Sequence, residues 1–349
     1  MSEFQPIVDK RVLRERLTSL CSHDTTTGRE DQGLAALLAQ LEDLGAKVER
    51  FEIAPGRTNV LATFGRPRVL LSTHLDTVPP YIAPSVDGDV VRGRGTCDAK
   101  GQIVAQLAAI ERLVHDGRSD IAWLGVIGEE TDSIGARRAL ELAARLPDVE
   151  LVIDGEPTDN KLATGHRGIL DLELRCTGIA AHSGTPELGR SAIWTLIDWL
   201  QRLRSRMNRI DPELGPEVFN IGRIEGGEAT NVLARAARAR ILARPVPDSS
   251  FLDDVRRFAP PEGEIAVVHE TPPDRFPPIA GHPRTTVTFG SDAPRLRALA
   301  QNRAIALVGP GSIRVAHTAE EHIVLDELVA GTAENATLAD EVLRRPRDA

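Results

Sequence analysis

The chain has 349 residues, of which 41% are hydrophobic and 27% are charged, and its formal net charge is -9. This length exceeds what one hydrophobic core usually holds, so we expect two domains. The acidic charge argues against a nucleic-acid or anionic-membrane partner, and aromatic residues, at 3%, are too few for recognition by base stacking. No apolar run approaches the ~20 residues of a membrane span, and the first residues lack a signal-peptide pattern.

The three cysteines, Cys21, Cys97 and Cys176, are far apart in the sequence. Their odd number and wide spacing fit neither a disulfide framework nor a zinc site built from paired cysteines. Such cysteine usage is typical of a reducing compartment. We therefore predict a cytoplasmic protein.

Helical and strand patterns alternate through the first part of the chain. The predicted helices are 8–21, 34–44, 103–114 and 134–146. The predicted strands are 48–53, 59–64, 69–71, 90–95, 121–127 and 151–154. This alternation favours an α/β domain whose sheet is covered on both faces.

A different pattern follows, and it predicts a second domain inserted into the first. Its elements are a strand at 169–176, a helix at 190–207, strands at 218–224 and 236–243, a helix at 250–258 and a strand at 264–269. This βαββαβ order is typical of a ferredoxin-like domain. We predict a discontinuous mixed-sheet catalytic domain at 1–165 and 281–349, with the insertion at 166–280.

The last part resumes the α/β pattern after a proline-rich linker at 271–278. The predicted elements are a helix at 295–299, a buried strand at 304–308 and a final helix at 320–343. A break in the final helix is expected near Gly331, because glycine weakens a helix interior.

Two candidate metal-binding side chains stand at the end of a predicted buried strand. His74 and Asp76 follow the apolar run 69–71 and are two residues apart, so they point to the same face of the strand. A metal-bound histidine whose other ring nitrogen is held by an acid has this pattern. A histidine and an aspartate that only hydrogen-bond each other fit it as well.

More acidic and histidine side chains follow, or lie beside, other predicted strand ends: Asp98, Glu129, Glu130, Glu156 and His317. In open α/β sheets, sites form outside the carboxyl ends of the strands, so these side chains can converge. Packed carboxylates repel one another, and two divalent cations would neutralise them. A set of histidine, aspartate and glutamate ligands suits zinc, cobalt or manganese.

Each of these residues also has a simpler interpretation. Asp98 fits a helix N-cap, and Glu129 with Glu130 fits a favourable charge at a helix start. Glu156 and His317 fit solvated surface positions. One shared metal centre accounts for all of them together, which five separate coincidences do less well.

Five segments in order resemble the motifs of the M20 metallopeptidases, and within them the branch of acetylornithine deacetylase and succinyl-diaminopimelate desuccinylase. They are STHLDTVP at 72–79, GRGTCDAKG at 93–101, GEETDSIGA at 128–136, GEPT at 155–158 and AHTAEE at 316–321. The resemblance covers nearly the whole chain, including the inserted domain.

The resemblance implies roles for the residues of the α/β domain. His74 and Glu156 would bind one metal ion, Glu130 and His317 the other, and Asp98 would bridge them. Asp76 would orient His74, and Glu129 would be the general base and acid.

For the inserted domain and the last loop, the resemblance implies contacts with the substrate. His182 would stabilise the oxyanion in the active site of a neighbouring subunit, which implies a homodimer. Asn231 and Gly311 would line the substrate, and Arg244 would hold its carboxylate. The strand before Arg244 lacks the acidic residue usual in the family, which weakens the assignment of Arg244.

The function implied by the resemblance is hydrolysis of an N-acyl amino acid by two divalent ions per chain, zinc first and cobalt as the alternative. The acyl group is most simply acetyl, as in N-acetylornithine or N-acetyllysine of arginine and lysine biosynthesis. A succinyl-diaminopimelate desuccinylase and a di- or tripeptide aminopeptidase of the same family fit the motifs as well. The complete set of ligands argues against a non-catalytic member.

Overall fold

A computed structural model describes residues 9–301 and 304–347. Val8, which the sequence places in the first helix, lies outside the described residues. The contacts divide the chain into two compact units. The first unit consists of the described residues of Met1–Ala163, Phe276–Thr285 and Ser291–Ala349. The second unit consists of Thr164–Arg275 and Thr286–Gly290.

The helices and strands have the following bounds. The α-helices are α1 (Lys10–Cys21), α2 (Leu34–Asp43), α3 (Lys100–His115), α4 (Ile134–Ala139), α5 (Ala192–Arg206), α6 (Phe251–Arg257), α7 (Ala293–Leu296) and α8 (Leu325–Leu343). Short 3₁₀ helices lie at Glu30–Gly33, Leu140–Arg145, Pro186–Leu188 and Arg297–Ala300. The strands are β1 (Lys47–Ala54), β2 (Arg57–Phe64), β3 (Val69–His74), β4 (Ser85–Asp87), β5 (Val90–Arg92), β6 (Ile121–Val126), β7 (Leu151–Asp154), β8 (Leu162–Ala163), β9 (Gly165–His166), β10 (Ile169–Thr177), β11 (Ile210–Asp211), β12 (Gly215–Pro216), β13 (Val218–Gly226), β14 (Ala236–Arg244), β15 (Gly263–Thr271), β16 (Asp274–Arg275), β17 (Arg284–Thr285), β18 (Ala304–Leu307) and β19 (His322–Val324).

The first unit is built on a mixed six-stranded sheet with the order β1–β2–β6–β3–β7–β18. β2 is antiparallel to β1 and β6, whereas β6, β3, β7 and β18 are parallel to one another. β3 and β6 are buried along their whole length, as their apolar sequences predict. The parallel strands therefore end at one edge of the sheet, where the candidate ligands stand.

Helix α3 is buried on nearly every side and packs against α1 and α8. A buried polar link joins it to the sheet. Trp123 Nε1 donates to Gln106 Oε1 at 2.9 Å, and Gln106 Nε2 donates to the Ser72 carbonyl at 2.8 Å. Because buried polar groups are costly when unpaired, this link sets the register of α3 against β3 and β6.

The second unit has the predicted βαββαβ fold, with β10, α5, β13, β14, α6 and β15 in chain order. Its antiparallel sheet has the order β13–β14–β10–β15. Leu172 and Leu174 of β10 pack with Trp199 of α5 in one core. Trp199 Nε1 donates to the Val255 carbonyl at 3.2 Å, which ties α5 to α6. The α/β fold with an inserted ferredoxin-like domain is confirmed.

The structure differs from the sequence predictions at two places in the last part of the chain. The predicted insertion spans 166–280, but Phe276–Thr285 belongs to the first unit, because β17 pairs with β8 and Phe276 is buried. The helix prediction for 320–324 is wrong, since His322–Val324 forms β19 and pairs with β5.

Helix α8 runs without a break through Gly331, contrary to the prediction. A Cβ at Gly331 would lie 2.7 Å from Pro310 Cδ and 2.8 Å from Asn160 Oδ1. The glycine is therefore explained by close packing. Within residues 9–301 and 304–347, every helix is too short or too polar to span a lipid bilayer.

Candidate metal centre

The five predicted metal ligands come together at the carboxyl edge of the parallel strands. His74 is the last residue of β3, Glu130 lies in the loop after β6, and Glu156 follows β7. Asp98 lies just before α3, and His317 lies between β18 and β19. Each is contributed by a different segment, so only the sheet topology brings them together.

Asp98 stands between two histidines. Its Oδ1 lies 2.9 Å from His74 Nε2, and its Oδ2 lies 3.2 Å from His317 Nε2. Asp98 does not cap α3, because the N-cap position is Ala99 and its side chain makes no cap bond. The buried carboxylate thus presents one oxygen to each side.

Two overlapping groups of ligand atoms result, each with its atoms within 4.8 Å of one another. The first group is His74, Asp98 and Glu156, and the second is Asp98, Glu130 and His317. Each group offers one imidazole and two carboxylates, the donors that zinc and similar divalent ions take in catalytic sites. The residues therefore fit a pair of divalent ions that share Asp98.

The charges of the site support the same fit. Burial raises the pKa of Glu156 well above its usual value, and the charge of Asp98 adds to this shift. Burial likewise raises the pKa of Glu130. Hydrogen bonds to Asp98 and Glu130 raise the pKa of His317 to about 10. Divalent ions bound here would neutralise the clustered carboxylates.

Asp76 contacts both His74, as predicted, and the loop that carries the two glutamates. His74 Nδ1 lies 2.9 Å from the backbone carbonyl of Asp76 and 3.6 Å from its carboxylate. The carboxylate also accepts the N–H groups of Gly128, Glu129 and Glu130 at 2.9, 3.1 and 3.2 Å. Asp76 therefore holds His74 through its backbone and the glutamate loop through its side chain.

Glu129 belongs to neither group of ligand atoms found among the described residues. Its backbone is fixed by Asp76, and burial raises the pKa of its carboxyl well above the usual value. The negative charges of Asp292 and Glu130 add to this shift. A carboxyl group poised in this way, next to but outside the ligand sets, suits proton transfer.

Two further buried acids, Asp154 and Asp292, lie near the proposed ligands and were not predicted as site residues. Burial, with the nearby charge of Asp292, raises the pKa of Asp154 to about 8. Burial also raises the pKa of Asp292 to about 6, although a hydrogen bond from Ser133 opposes this. Asp154 is the last residue of the buried strand β7, and its position after an apolar run is visible in the sequence. Asp292 follows no apolar run, so no sequence pattern points to it.

In the second unit, His182 and Asn231 lie on adjoining loops. The Ser183 N–H donates to the Asn231 carbonyl at 2.9 Å, and His182 pairs with Val232 in an isolated bridge. His182 and Asn231 are both exposed. His182 Nδ1 accepts the Gly184 N–H at 3.1 Å, which leaves the proton of a neutral ring on Nε2.

Arg244 is the last residue of β14 and is half-buried. Its Nη1 is buried and has no hydrogen-bond partner in the described part of the chain. Burial, and then the charge of Arg167, lower the pKa of its guanidinium. Gly311, in the first unit, is buried in a loop against Cys97 with a φ of +79°.

Comparison with known proteins decides the family. Residues 164–259 match the family described as the peptidase dimerisation domain. The chain is 36% identical to a peptidase M20 domain-containing protein of Schizosaccharomyces pombe over 326 residues, which cover 90% of this chain and 80% of the relative. The chain belongs to the M20 peptidase family. This M20 chain is also 35% identical to a probable carboxypeptidase of Aspergillus flavus, over 83% of its own length and 76% of the relative.

Solved structures share the M20 fold. A tripeptidase from Staphylococcus aureus superposes with a TM-score of 0.81 at 21% identity, over 97% of this chain and 100% of the other. An M20 family metallo-carboxypeptidase from Sulfolobus solfataricus superposes with a TM-score of 0.76 at 16% identity, over 95% and 99% of the two chains. The predicted family is confirmed, and the protein is an M20 enzyme that hydrolyses peptide or related amide bonds with divalent metal ions.

Proposed function

We propose that this M20 enzyme removes the acyl group, most simply acetyl, from an N-acyl amino acid such as N-acetylornithine or N-acetyllysine. The observation that supports the metal chemistry is the position of Asp98. One of its carboxylate oxygens lies 2.9 Å from His74 Nε2, and the other lies 3.2 Å from His317 Nε2. His74, Asp98 and Glu156 would hold one ion, and Asp98, Glu130 and His317 the other. Zinc is the first candidate and cobalt the alternative, because the donor set suits both.

Divalent ions at these groups would, when bound, polarise the scissile carbonyl and make a water molecule more acidic. Glu129 is the residue proposed to accept the proton of the attacking water. It then hands the same proton to the amide nitrogen as the carbon–nitrogen bond breaks, so that the amine leaves neutral. Asp76 keeps Glu129 in place through the backbone N–H.

His182 is proposed to donate its Nε2 proton to the developing oxyanion. The bond from the Gly184 N–H to Nδ1 supports this, because it favours the tautomer with the proton on Nε2. Such donors are typically worth ~3–4 kcal/mol. In keeping with the resemblance, we place His182 in the site of a neighbouring subunit of a homodimer. The match to the peptidase dimerisation domain supports this placement.

Arg244 is proposed to bind the carboxylate of the amino acid, with Asn231 and Gly311 lining the substrate. The buried, unpartnered Nη1 of Arg244 supports this role, since a carboxylate would satisfy it. A cytoplasmic place in arginine or lysine biosynthesis is part of the same proposal.

A second candidate is the release of a C-terminal residue from a short peptide. The relative named as a probable carboxypeptidase favours it. Both reactions cleave an amide bond next to an amino acid with a free carboxylate, so the same ligands, Glu129 and Arg244 serve both. The two differ only in the size of the acyl side.

The test is an amine-release assay with added zinc or cobalt on three substrate sets: N-acetyl amino acids, N-succinyl amino acids, and di- and tripeptides. We expect N-acetyl substrates to give the highest kcat/KM, and blocking their carboxylate as an amide to raise KM. Preference for peptides would favour the second candidate.

The role of Glu129 is tested in the same assay. Glu129→Ala should lower kcat by at least about 100-fold, because general acid–base groups typically contribute that much or more. The variant should keep about two metal ions per chain, the number implied by two ligand groups. Retained turnover with full metal content would show that Glu129 is not the base.

A further inference from the structure

Arg94 and Glu321 form a buried ion pair beside the metal centre. Arg94 Nη1 lies 2.6 Å from Glu321 Oε2, and 2% and 0% of the two side chains are exposed. Neither residue belongs to the ligand groups found among the described residues. They lie in the segments 93–101 and 316–321, which resemble M20 motifs, but the resemblance gives neither residue a role.

The Arg94 guanidinium connects segments that carry ligands. Its Nε donates to the Pro80 carbonyl at 3.2 Å, in the loop that follows His74. Its Nη1 also donates to the Thr318 carbonyl at 3.2 Å, one residue after His317. One side chain therefore fixes the backbone beyond both proposed histidine ligands.

Glu321 holds the loop that carries Asp98. Its Oε1 accepts the N–H groups of Gly95, Cys97 and Asp98 at 2.9, 3.2 and 3.1 Å. The Gly93 N–H donates in turn to the Glu321 backbone carbonyl at 2.9 Å. Four N–H groups of one loop thus point to a single residue, and the last of them belongs to the ligand shared by both groups.

An ion pair can also serve stability alone, and the chain offers a part-buried example for comparison. Arg68 and Glu150 lie 2.6 Å apart, with 4% and 28% of the two side chains exposed. Arg68 Nη1 donates to the Arg345 carbonyl at 2.7 Å. Within the described part of the chain, the hydrogen bonds of this pair reach no segment next to a proposed ligand, so the pair serves as a control for the loss of an ion pair.

We propose that Arg94 and Glu321 are positioning residues that hold Asp98 between His74 and His317 for metal binding. This inference rests on the metal ligands assigned under the proposed function. Groups that orient metal ligands typically contribute 10–100-fold to metal affinity. The effect of Glu321 should therefore appear in metal binding itself, whether or not the substrate is known.

The test is a titration of chelator-treated full-length protein with Co²⁺, followed by its visible absorption and by metal analysis. Glu321→Gln keeps the shape of the side chain but replaces one acceptor oxygen with a donor amide. We expect the variant to bind Co²⁺ about 10–100-fold more weakly than the wild type, with an altered absorption spectrum. Glu150→Gln should lower stability and leave the affinity and the spectrum unchanged.

Wild-type affinity and spectrum in Glu321→Gln, together with reduced stability, would show that the pair is only structural. If Glu321→Gln does not fold, Arg94→Lys is titrated in the same way, because it keeps the charge but reaches fewer carbonyl groups. A wild-type affinity for Co²⁺ in that variant would also overturn the proposal. If the wild type itself binds no Co²⁺, the ligand assignment fails, which is distinguishable from failure of the positioning role alone.

Discussion

Replacing Asp76 with asparagine tests how the glutamate loop is held. Oδ1 of Asp76 accepts the N–H groups of Gly128 and Glu129, and Oδ2 accepts the Glu130 N–H and the Thr27 hydroxyl at 3.2 and 2.8 Å. Asparagine keeps one acceptor oxygen and puts an amide donor in place of the other. If the amide group faces Gly128 and Glu129, both of these N–H groups lose their acceptor. If it faces the other way, the Glu130 N–H loses its acceptor, whereas the Thr27 hydroxyl can turn and accept from the amide.

The structure sets the size of the effect. An unmet buried donor costs about 1–3 kcal/mol, so one or two of them cost about 1–6 kcal/mol. For a domain of about 150–250 residues, 1 kcal/mol shifts Tm by about 2–4 °C. We therefore expect Asp76→Asn to lower Tm by about 2–24 °C. Metal affinity should fall about 10–100-fold, because Glu130 is carried by the same loop.

The assay is urea unfolding of chelator-treated protein, so that lost metal does not contribute to the free energy of unfolding. Thr27→Val is the matched control, since it removes one bond to Asp76 and keeps the carboxylate. It should cost about 1 kcal/mol. An Asp76→Asn variant within about 0.5 kcal/mol of the wild type would refute the claim that this carboxylate holds the loop.

Two predictions concern sites outside the ligand groups. His282 bonds Glu334 and Glu341 at 2.6 and 3.2 Å, and although burial opposes the charge, these carboxylates raise the pKa of His282 above its ordinary value. Its contribution to stability is complete below the unfolded pKa of about 6.5 and is lost as pH rises through the folded pKa. The loss of unfolding free energy in His282→Gln should therefore be larger at pH 6 than at pH 9, and equal losses would contradict this. Gly101→Ala places a Cβ 2.3 Å from the Thr96 carbonyl oxygen, so it should cost about 1–3 kcal/mol in urea unfolding and weaken Co²⁺ binding.

Much of the fold follows from local patterns in the sequence. The apolar runs of β3, β6 and β7 predict buried strands, and the structure contains those strands. The βαββαβ order of the second unit likewise follows from the hydrophobic patterns of its short segments. Longer-range competition overrode the pattern at 320–324. Only Glu320 and Glu321 of that segment are strong helix formers, whereas Ile323 and Val324 are β-branched. β5 offers these residues a strand partner, and Ile323 is fully buried.

The proposed metal ligands are also visible in the sequence. Two facts are enough to select them: their side chains can bind metal, and they follow or lie beside predicted strand ends, where sites form in α/β sheets. The residues are His74, Asp98, Glu130, Glu156 and His317. The partners of these residues depend on contacts between segments that are far apart in the chain. Asp76 lies two residues from His74, yet its carboxylate bonds a loop more than fifty residues away.

The amino-acid order thus determines which elements form and which side chains carry chemistry, because both depend on neighbours in the chain. The tertiary structure decides that each oxygen of Asp98 faces a different histidine and that Arg94 reaches Glu321 across 227 positions. It also decides that Gly331 lies inside a continuous helix. Hydrogen bonds form within about 3 Å in space, whatever the separation in sequence.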